Sequence, residues 1–461
     1  MRLKLLDFTV TSMRARLARA LCVIAISAAL WQPPAYAQQS QRMQFIRDGE
    51  TEAIIRAYAA PIFRTAGLNP DDINVHLIND RSLNAFVALG LNMFFHTGLL
   101  LRTEHPGQLI GVIAHETGHI SGGHIARLPE AMRDAWAASM ISLLGAAAAA
   151  AAGRGDAAMA SVMAGQQVAM RGFLRYTRTL EASADQAAVQ FLDRTQQSAR
   201  GLAEFLQILV DQELMIVDRQ DPYVRTHPIT RERVEFVENW VANSRFSGVP
   251  VRPEFVEMHR RMRAKLLGYL DPARALVQYR ENDPALEARY ARAFAFYRRG
   301  DFPRALPLVD ELLKERPQDP WFNETRGQFT LESGDARGAL AYYEKAVAAL
   351  PTNALLRMGL AGAQIATGDR GLLREAIGHL EAARGREPEN GEIFRLLAVA
   401  YGRDDQLGMA ALAQAEVAMI QGQRATARGL AERAERLLPP GSTHMLRAQD
   451  IKNATERQPP R

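Results

Sequence analysis

The chain has 461 residues, of which 48% are hydrophobic and 23% are charged, with 56 basic against 51 acidic side chains. This length exceeds one ordinary hydrophobic core and predicts at least two domains. The single cysteine excludes a disulfide-stapled scaffold. The first 37 residues carry five basic side chains and one acidic one, a net +4 out of the total of +5, so the remaining chain is nearly neutral and does not indicate nucleic-acid binding.

The first predicted element is an export signal over residues 1–37. Three arginines between positions 14 and 19 precede an apolar run from Ala20 to Leu30, and Ala35-Tyr36-Ala37 supplies the small-x-small pattern that signal peptidase recognises. The apolar run is shorter than the roughly 20 residues that a membrane-spanning helix needs. We therefore expect an exported protein whose only cysteine is removed with the signal, which excludes a thiol nucleophile.

The most specific pattern is His115-Glu116-Thr117-Gly118-His119. Residues four apart on an α-helix share one face, so His115 and His119 would present both imidazoles to one metal ion, with Glu116 beside them. Catalytic zinc usually takes three protein ligands and one water, which leaves one ligand to find. One known arrangement takes it from the sixth residue after the second histidine. That position holds Ile125, and His124 is one residue short.

A second carboxylate motif, Glu181-Ala182-Ser183-Ala184-Asp185, follows on an alanine-rich helix. Its two acidic residues are four apart and therefore on one face. We predict that Glu181 is the third zinc ligand and that Asp185 accepts the free imidazole N–H of a ligating histidine, which fixes the tautomer of that ring. The two motifs together predict one zinc ion per chain.

Between the two motifs lies an apolar segment from Trp136 to Met170, interrupted by residues 153–156. A helical hairpin that covers the cleft, or that makes peripheral contact with a membrane or a partner, is favoured over a membrane-spanning hairpin. Alanine contributes little to membrane insertion, and the flanking helices must meet at one metal ion.

The helical pattern breaks between Trp240 and Glu254, which predicts a domain boundary at about residue 250. Beyond it a Gly-Asp pair recurs every 34 residues, the period of tetratricopeptide repeats. The pairs are Gly300-Asp301, Gly334-Asp335 and Gly368-Asp369. We predict four to five helix pairs over 251–445, stacked as a solenoid that holds a protein partner, and a flexible tail over 446–461.

The motifs together resemble the HtpX and CAAX-prenyl-protease superfamily of gluzincin metallopeptidases. Besides the two metal motifs, the resemblance rests on Asn84-Ala85-Phe86-Val87-Ala88-Leu89, Thr97-Gly98-Leu99-Leu100 and Thr226-His227-Pro228. It implies an α+β, mostly helical fold with a peptidase domain over 38–250. In that domain a small sheet lies beside the active-site helix, and its edge strand pairs with substrate backbone. An all-α repeat solenoid follows.

The repeats narrow the resemblance to periplasmic members of the superfamily in Gram-negative bacteria. This implies a zinc endopeptidase that degrades unfolded or stalled outer-membrane proteins and whose repeats contact the β-barrel assembly machinery. In such an enzyme His115, His119 and Glu181 hold zinc, and Glu116 is the general base toward the bound water. The alternative is a chaperone or assembly scaffold that acts through the repeats, with latent protease activity.

His227 has two candidate roles. It could hydrogen-bond the tetrahedral oxyanion, or it could occupy the fourth zinc position and keep the enzyme latent. Arg231 and Arg233 follow it and are candidates to orient the loop or to bind substrate backbone. His124 is expected just past the active-site helix, near the site but not bound to the metal.

Overall fold

The computed structural model describes residues 44–88, 91–127, 133, 140–144, 146, 155–213 and 221–456. The predicted export signal over residues 1–37 lies outside these ranges, as does part of the apolar segment 136–170. Residues Phe45–Arg461 form one compact unit.

A four-stranded sheet forms one layer of the N-terminal half. Its strands are β1 (Phe45–Ile46), β2 (Asn74–Ile78), β3 (Ala85–Ala88) and β4 (Asn92–His96), in the order β1-β2-β4-β3. Strand β4 runs parallel to β2 and antiparallel to β3, so β3 is an edge strand among the residues described. Successive side chains alternate between faces, and the inner face, with Leu77 and Phe95, is fully buried against the helices.

Residues 124–127 and 140–144 are also helical, and seven further helices complete the described part of this half. They are α1 (Gly49–Thr65), α2 (Thr97–Arg102), α3 (Pro106–Ser121), α4 (Gly155–Arg194), α5 (Arg200–Glu213), α6 (Pro222–Thr226) and α7 (Arg231–Asn243). Helix α3 is buried at every position from Pro106 to His119, because apolar residues surround it on all sides. Within the described part of the chain no helix combines the length and hydropathy needed to cross a membrane.

The C-terminal half is all helical. After α8 (Pro253–Leu270) and α9 (Pro272–Gln278), ten helices form five consecutive pairs. They are α10 (Leu286–Arg298), α11 (Phe302–Glu315), α12 (Pro320–Glu332), α13 (Ala336–Ala349), α14 (Ala354–Ala366), α15 (Arg370–Arg386), α16 (Gly391–Arg403), α17 (Leu407–Ile420), α18 (Arg424–Leu437) and α19 (Thr443–Glu456).

The recurring Gly-Asp pairs explain the turns inside the first three repeats. Each glycine adopts a left-handed conformation that ends one helix, with φ of 73° at Gly300, 101° at Gly334 and 72° at Gly368. Each following aspartate caps the next helix, as Asp335 does by accepting from the backbone N–H of Gly338 at 2.7 Å.

Helix α8 lies beyond the predicted boundary at residue 250 but packs into the core of the N-terminal half through Phe255, Met262 and Leu266. Its charged side chains also bridge the two halves. The carboxylate of Glu50 lies 2.7 Å from Arg261, which in turn contacts Asp319 of α12 at 2.6 Å. We call the set Asp48, Glu50, Arg261, Lys265, Asp319 and Glu324 the junction cluster.

The prediction of a flexible tail over 446–461 is wrong for residues 446–456. Helix α19 occupies Thr443–Glu456, and Ala448 and Ile451 are buried in the same core cluster as α18. This terminal helix covers the apolar face of the last repeat. A solenoid needs such a covering helix at its end, but the 34-residue period does not predict it.

Candidate metal centre

Two crossing helices carry the predicted metal motifs. Helix α3 places His115, Glu116 and His119 on the face that meets α4, and α4 presents Glu181 from the opposite side. Gly118 makes this crossing possible, since a Cβ atom there would lie 2.7 Å from the carbonyl oxygen of Ala184. The glycine inside one motif and the small residue inside the other are therefore steric partners.

The structure brings four buried side chains to one point. Ligand atoms of His115, His119, Glu181 and His227 all lie within 4.8 Å of one another. The two Nε2 atoms of His115 and His119 are 3.1 Å apart, and they lie 3.2 and 3.3 Å from the carboxylate oxygens of Glu181.

These distances fit a tetrahedral metal ion. Ligand atoms about 2.0–2.1 Å from a zinc-sized ion stand roughly 3.3 Å from each other. Two imidazoles and a carboxylate are also a donor set suited to zinc and related divalent ions. The residues present therefore fit a bound divalent cation.

Asp185 lies behind His115. Its Oδ1 is 2.8 Å from the Nδ1 of His115, so this ring can donate through Nδ1 and turn Nε2 toward the other residues of the cluster. Arg233 clamps the same carboxylate through Nε and Nη2, at 2.6 and 3.0 Å, and its Nη1 lies 3.0 Å from Glu181. The buried guanidinium of Arg233 thus orients the carboxylates of both Asp185 and Glu181. The sequence alone did not show this contact.

His119 has a different partner. The Nδ1 of His124 lies 2.9 Å from the Nδ1 of His119, and His124 is buried. Gly122 leaves room for this ring, because a Cβ atom there would lie 2.3 Å from the Nε2 of His124. His119 can therefore donate through Nδ1 to a neutral imidazole, whereas His115 donates to a carboxylate.

His227 and Tyr223 close the site from the segment around α6. The Nδ1 of His227 lies 3.1 Å from Glu181 and 3.4 Å from the Nε2 of His115. The Tyr223 ring stacks on His227 with centroids 4.3 Å apart, and its hydroxyl donates to Glu116 at 3.3 Å. The other carboxylate oxygen of Glu116, Oε2, has no hydrogen-bond partner among the residues that the structure describes.

Burial and the neighbouring charges shift the pKa values of Glu116, His115 and His119 in different directions. Burial raises the pKa of Glu116. Burial also opposes a charge on His115, but Asp185 and Glu181 outweigh it and raise the pKa of that imidazole to about 10. Burial and the neighbouring His115 and His227 lower the pKa of His119 to about 3. A metal ion would favour the deprotonated form of every ligand.

Sequence patterns indicated most of this assembly but missed Tyr223, which had no motif of its own. The predicted residues His115, Glu116, His119, Glu181, Asp185 and His227 all lie together in the structure. His124, expected near the site, contacts His119 from the turn after the helix. His76 and His96 lie on β2 and β4 and are not members of the cluster.

Comparison with known proteins identifies the two halves. The profile of peptidase family M48 matches residues 46–241, and a tetratricopeptide-repeat profile matches residues 330–371. The first match contains all the metal-centre residues described above.

Curated relatives extend the similarity over most of the chain. The β-barrel assembly-enhancing protease of Yersinia pestis is 24% identical over 386 residues, which cover 81% of this chain and 76% of that protein. The β-barrel assembly-enhancing protease of Escherichia coli strain K12 is 26% identical over 364 residues, which cover 74% of this chain and 67% of that protein.

Among solved structures, the match to the tetratricopeptide-repeat protein YrrB covers 38% of this chain and 91% of the YrrB chain. The two are 18% identical, with a TM-score of 0.31. This superposition is too distant to support a conclusion. The M48 match and the relatives over most of the chain identify a peptidase family M48 domain followed by tetratricopeptide repeats, and the protein is a metallopeptidase.

Proposed function

We propose that this protein is a periplasmic zinc endopeptidase that degrades unfolded or stalled outer-membrane proteins during β-barrel assembly. The observation that carries the proposal is the tetrahedral spacing of His115, His119 and Glu181 beside the buried carboxylate of Glu116. The name of the curated relatives, β-barrel assembly-enhancing protease, supports a protease that acts in β-barrel assembly.

The roles follow from position and charge. His115, His119 and Glu181 would hold zinc, which supplies Lewis acidity toward a peptide carbonyl and toward water when bound. Glu116 accepts a proton from the attacking water and delivers it to the leaving amine. Burial raises the pKa of Glu116, which makes this carboxylate a stronger base than a solvated one. Tyr223 holds one Glu116 oxygen and leaves the other free for water.

A substrate chain would add to the sheet at β3. This strand pairs only with β4 among the described residues and contacts α3, so an extended peptide on its free edge would pass the metal centre. Backbone pairing accepts almost any sequence, which suits an enzyme that acts on unfolded chains.

The test is the Glu116→Gln variant. It should retain one metal ion per chain and the wild-type fold while hydrolysis of an unfolded protein falls by roughly 100- to 10,000-fold. Glu104→Gln, an exposed carboxylate just before the same helix, is the matched control and should cleave normally. Undiminished cleavage by Glu116→Gln would show that another group is the base. Crosslinking this variant in the periplasm would identify what it traps.

We further propose that His227 guards the metal. Its Nδ1 lies inside the same 4.8 Å group as the three ligand atoms, where a fourth ligand would lie. This supports latency, and with it the alternative in which the repeats act as a chaperone or scaffold while proteolysis is held off. The competing role is a hydrogen bond to the oxyanion.

Cleavage rates of His227→Ala at equal zinc occupancy separate these roles. A faster variant supports the guard role, and a rate lower by roughly 100-fold supports the oxyanion role. Equal rates would leave His227 with neither role. His105→Ala, at a half-exposed histidine that pairs with Glu204, serves as the control.

A further inference from the structure

Helix α4 carries an exposed apolar stripe. Met159, Met163, Met170 and Leu174 are 64%, 59%, 58% and 38% exposed, and they follow one another at spacings of four, seven and four residues. These spacings keep all four side chains on one face of a helix. Large apolar side chains in contact with water at this density mark a binding surface more often than a solvated one.

The stripe lies on the same helix face as two carboxylates of the metal centre. Glu181 follows Leu174 by seven residues, and Asp185 follows Glu181 by four. At about 100° per residue, the four apolar residues and these two carboxylates fall within an arc of roughly 80°. With a rise of about 1.5 Å per residue, Leu174 lies roughly 10 Å and Met163 roughly 27 Å along the helix from Glu181.

The chemistry of the stripe fits an unfolded polypeptide. Methionine side chains are flexible and polarizable, so they adapt to apolar side chains of different shapes. Residues 157–170 contain no charged side chain, so an apolar segment can lie along this part of the helix without burying a charge. A single extended chain can follow the stripe along the helix toward the buried metal centre.

We propose that the stripe Met159–Met163–Met170–Leu174 binds apolar side chains of an unfolded substrate at a distance from the scissile bond. This inference rests on the proposed peptidase function and specifies its substrate class. Chains with apolar side chains at several places are held along α4 while one segment pairs with β3, which favours unfolded proteins over short peptides.

The experiment measures binding rather than turnover. Met163→Asp/Met170→Asp is made in the full chain carrying Glu116→Gln, and its Kd for fluorescein-labelled, reduced and carboxymethylated α-lactalbumin is determined by anisotropy. We expect roughly 10-fold weaker binding, since two exposed methionines that would contact the substrate are replaced by charged side chains. Met163→Leu/Met170→Leu should restore the affinity.

Val168→Asp is the matched control. Val168 is 62% exposed on the same helix but on the opposite face, so it introduces charge without touching the stripe. It should leave the Kd nearly unchanged. Equal loss in Val168→Asp and in the stripe variant, or no loss in either, would overturn the proposal.

Two further outcomes are distinguishable. If the stripe variant loses flotation with phosphatidylethanolamine–phosphatidylglycerol vesicles but keeps its Kd for α-lactalbumin, the surface binds membranes and the proposal fails. If the protein with Glu116 intact and zinc bound hydrolyses no polypeptide while the Kd changes as expected, the proposed peptidase function fails and the binding surface stands.

Discussion

Two groups of buried charge differ in how they are neutralised. In the metal centre, the carboxylates of Glu116, Glu181 and Asp185 face one guanidinium, that of Arg233, which leaves a net charge of −2 (three minus one) when the histidines are neutral. In the junction cluster every carboxylate lies within 4 Å of a cation.

The difference separates a binding site from a structural one. A net charge of −2 in a water-poor pocket is costly unless a divalent cation compensates it. The junction cluster has the same formal net charge of −2, from four carboxylates and the two cations Arg261 and Lys265, but each of its carboxylates lies within 4 Å of a cation and its outer carboxylates reach solvent. In the metal centre, Glu116 is fully buried and, among the described residues, forms an ion-pair contact with His227 alone. The first cluster therefore suits a bound cation, whereas the second joins the repeats to the peptidase half through its own cations.

Loss of a metal ligand should have the largest effect. Glu181→Gln and His119→Ala each remove one of three protein ligands, so metal content after dialysis should fall from one ion per chain to about none, and hydrolysis should be lost. Glu232→Gln, an exposed carboxylate, should retain the ion. Full metal occupancy in Glu181→Gln, measured by plasma mass spectrometry, would remove Glu181 from the ligand set.

Breaking the junction cluster should destabilise the fold and spare the metal. Arg261→Met leaves the partly exposed carboxylate of Asp319 without its cation and leaves Glu50 with Lys265 alone, 3.5 Å away, at a cost of about 3 kcal/mol in the free energy of unfolding. Arg260→Met, at an exposed neighbour, is the control.

Urea denaturation measures this stability, and the metal content of the folded fraction should stay at the wild-type level. Adding Glu50→Gln to Arg261→Met should recover part of the loss, since one incompletely compensated charge is removed. If Arg261→Met released the metal ion while its free energy of unfolding stayed at the wild-type value, the two clusters would be coupled. The contrast between them would then fail.

Loss of the hydrogen-bond acceptor behind His119 should have a smaller effect on metal binding. His124→Ala removes the group that receives the Nδ1–H of His119, so metal affinity should fall by about 10- to 100-fold. His124→Asn keeps an acceptor oxygen and should recover much of the affinity. Competition with a chelator measures both variants. Equal affinities of the wild type and His124→Ala would show that the turn, rather than this contact, holds His119.

The smallest expected effect is a pH dependence of the free energy of unfolding that comes from Glu324. Burial raises the pKa of Glu324 to about 7, and the nearby Asp48 and Glu50 add to the shift against the opposing Lys265. A raised carboxyl pKa means that the folded protein holds its proton longer than the unfolded chain. Stability associated with that proton is therefore full below pH 4 and is lost as pH rises to about 7.

Glu324→Gln removes this titration. Because the Glu324 side chain is a quarter exposed, we expect the variant to be more stable than the wild type by about 1 kcal/mol at pH 8 and nearly equal at pH 4. Urea denaturation at both values measures this. A variant that is less stable at pH 8 would show that the ion pair with Lys265 outweighs burial.

Local periodicity was sufficient to group the candidate metal ligands and to predict the repeats. His115 with His119, and Glu181 with Asp185, are four residues apart, and helix geometry alone then places each pair on one face. A spacing of 34 residues between Gly-Asp pairs likewise predicts helix pairs before any contact is known. These features depend on distances along the chain, which the sequence states directly.

Tertiary structure decided the rest. Arg233 reaches Asp185 across 48 residues, Tyr223 reaches Glu116 across 107, and Arg261 joins Glu50 to a repeat helix. Such contacts follow no period, because they depend on how helices cross and not on where residues lie within one helix. The sequence by itself determined which faces carry the ligands. Only the packing of α3, α4 and α8 decided which charges support those ligands and which ones join the two halves.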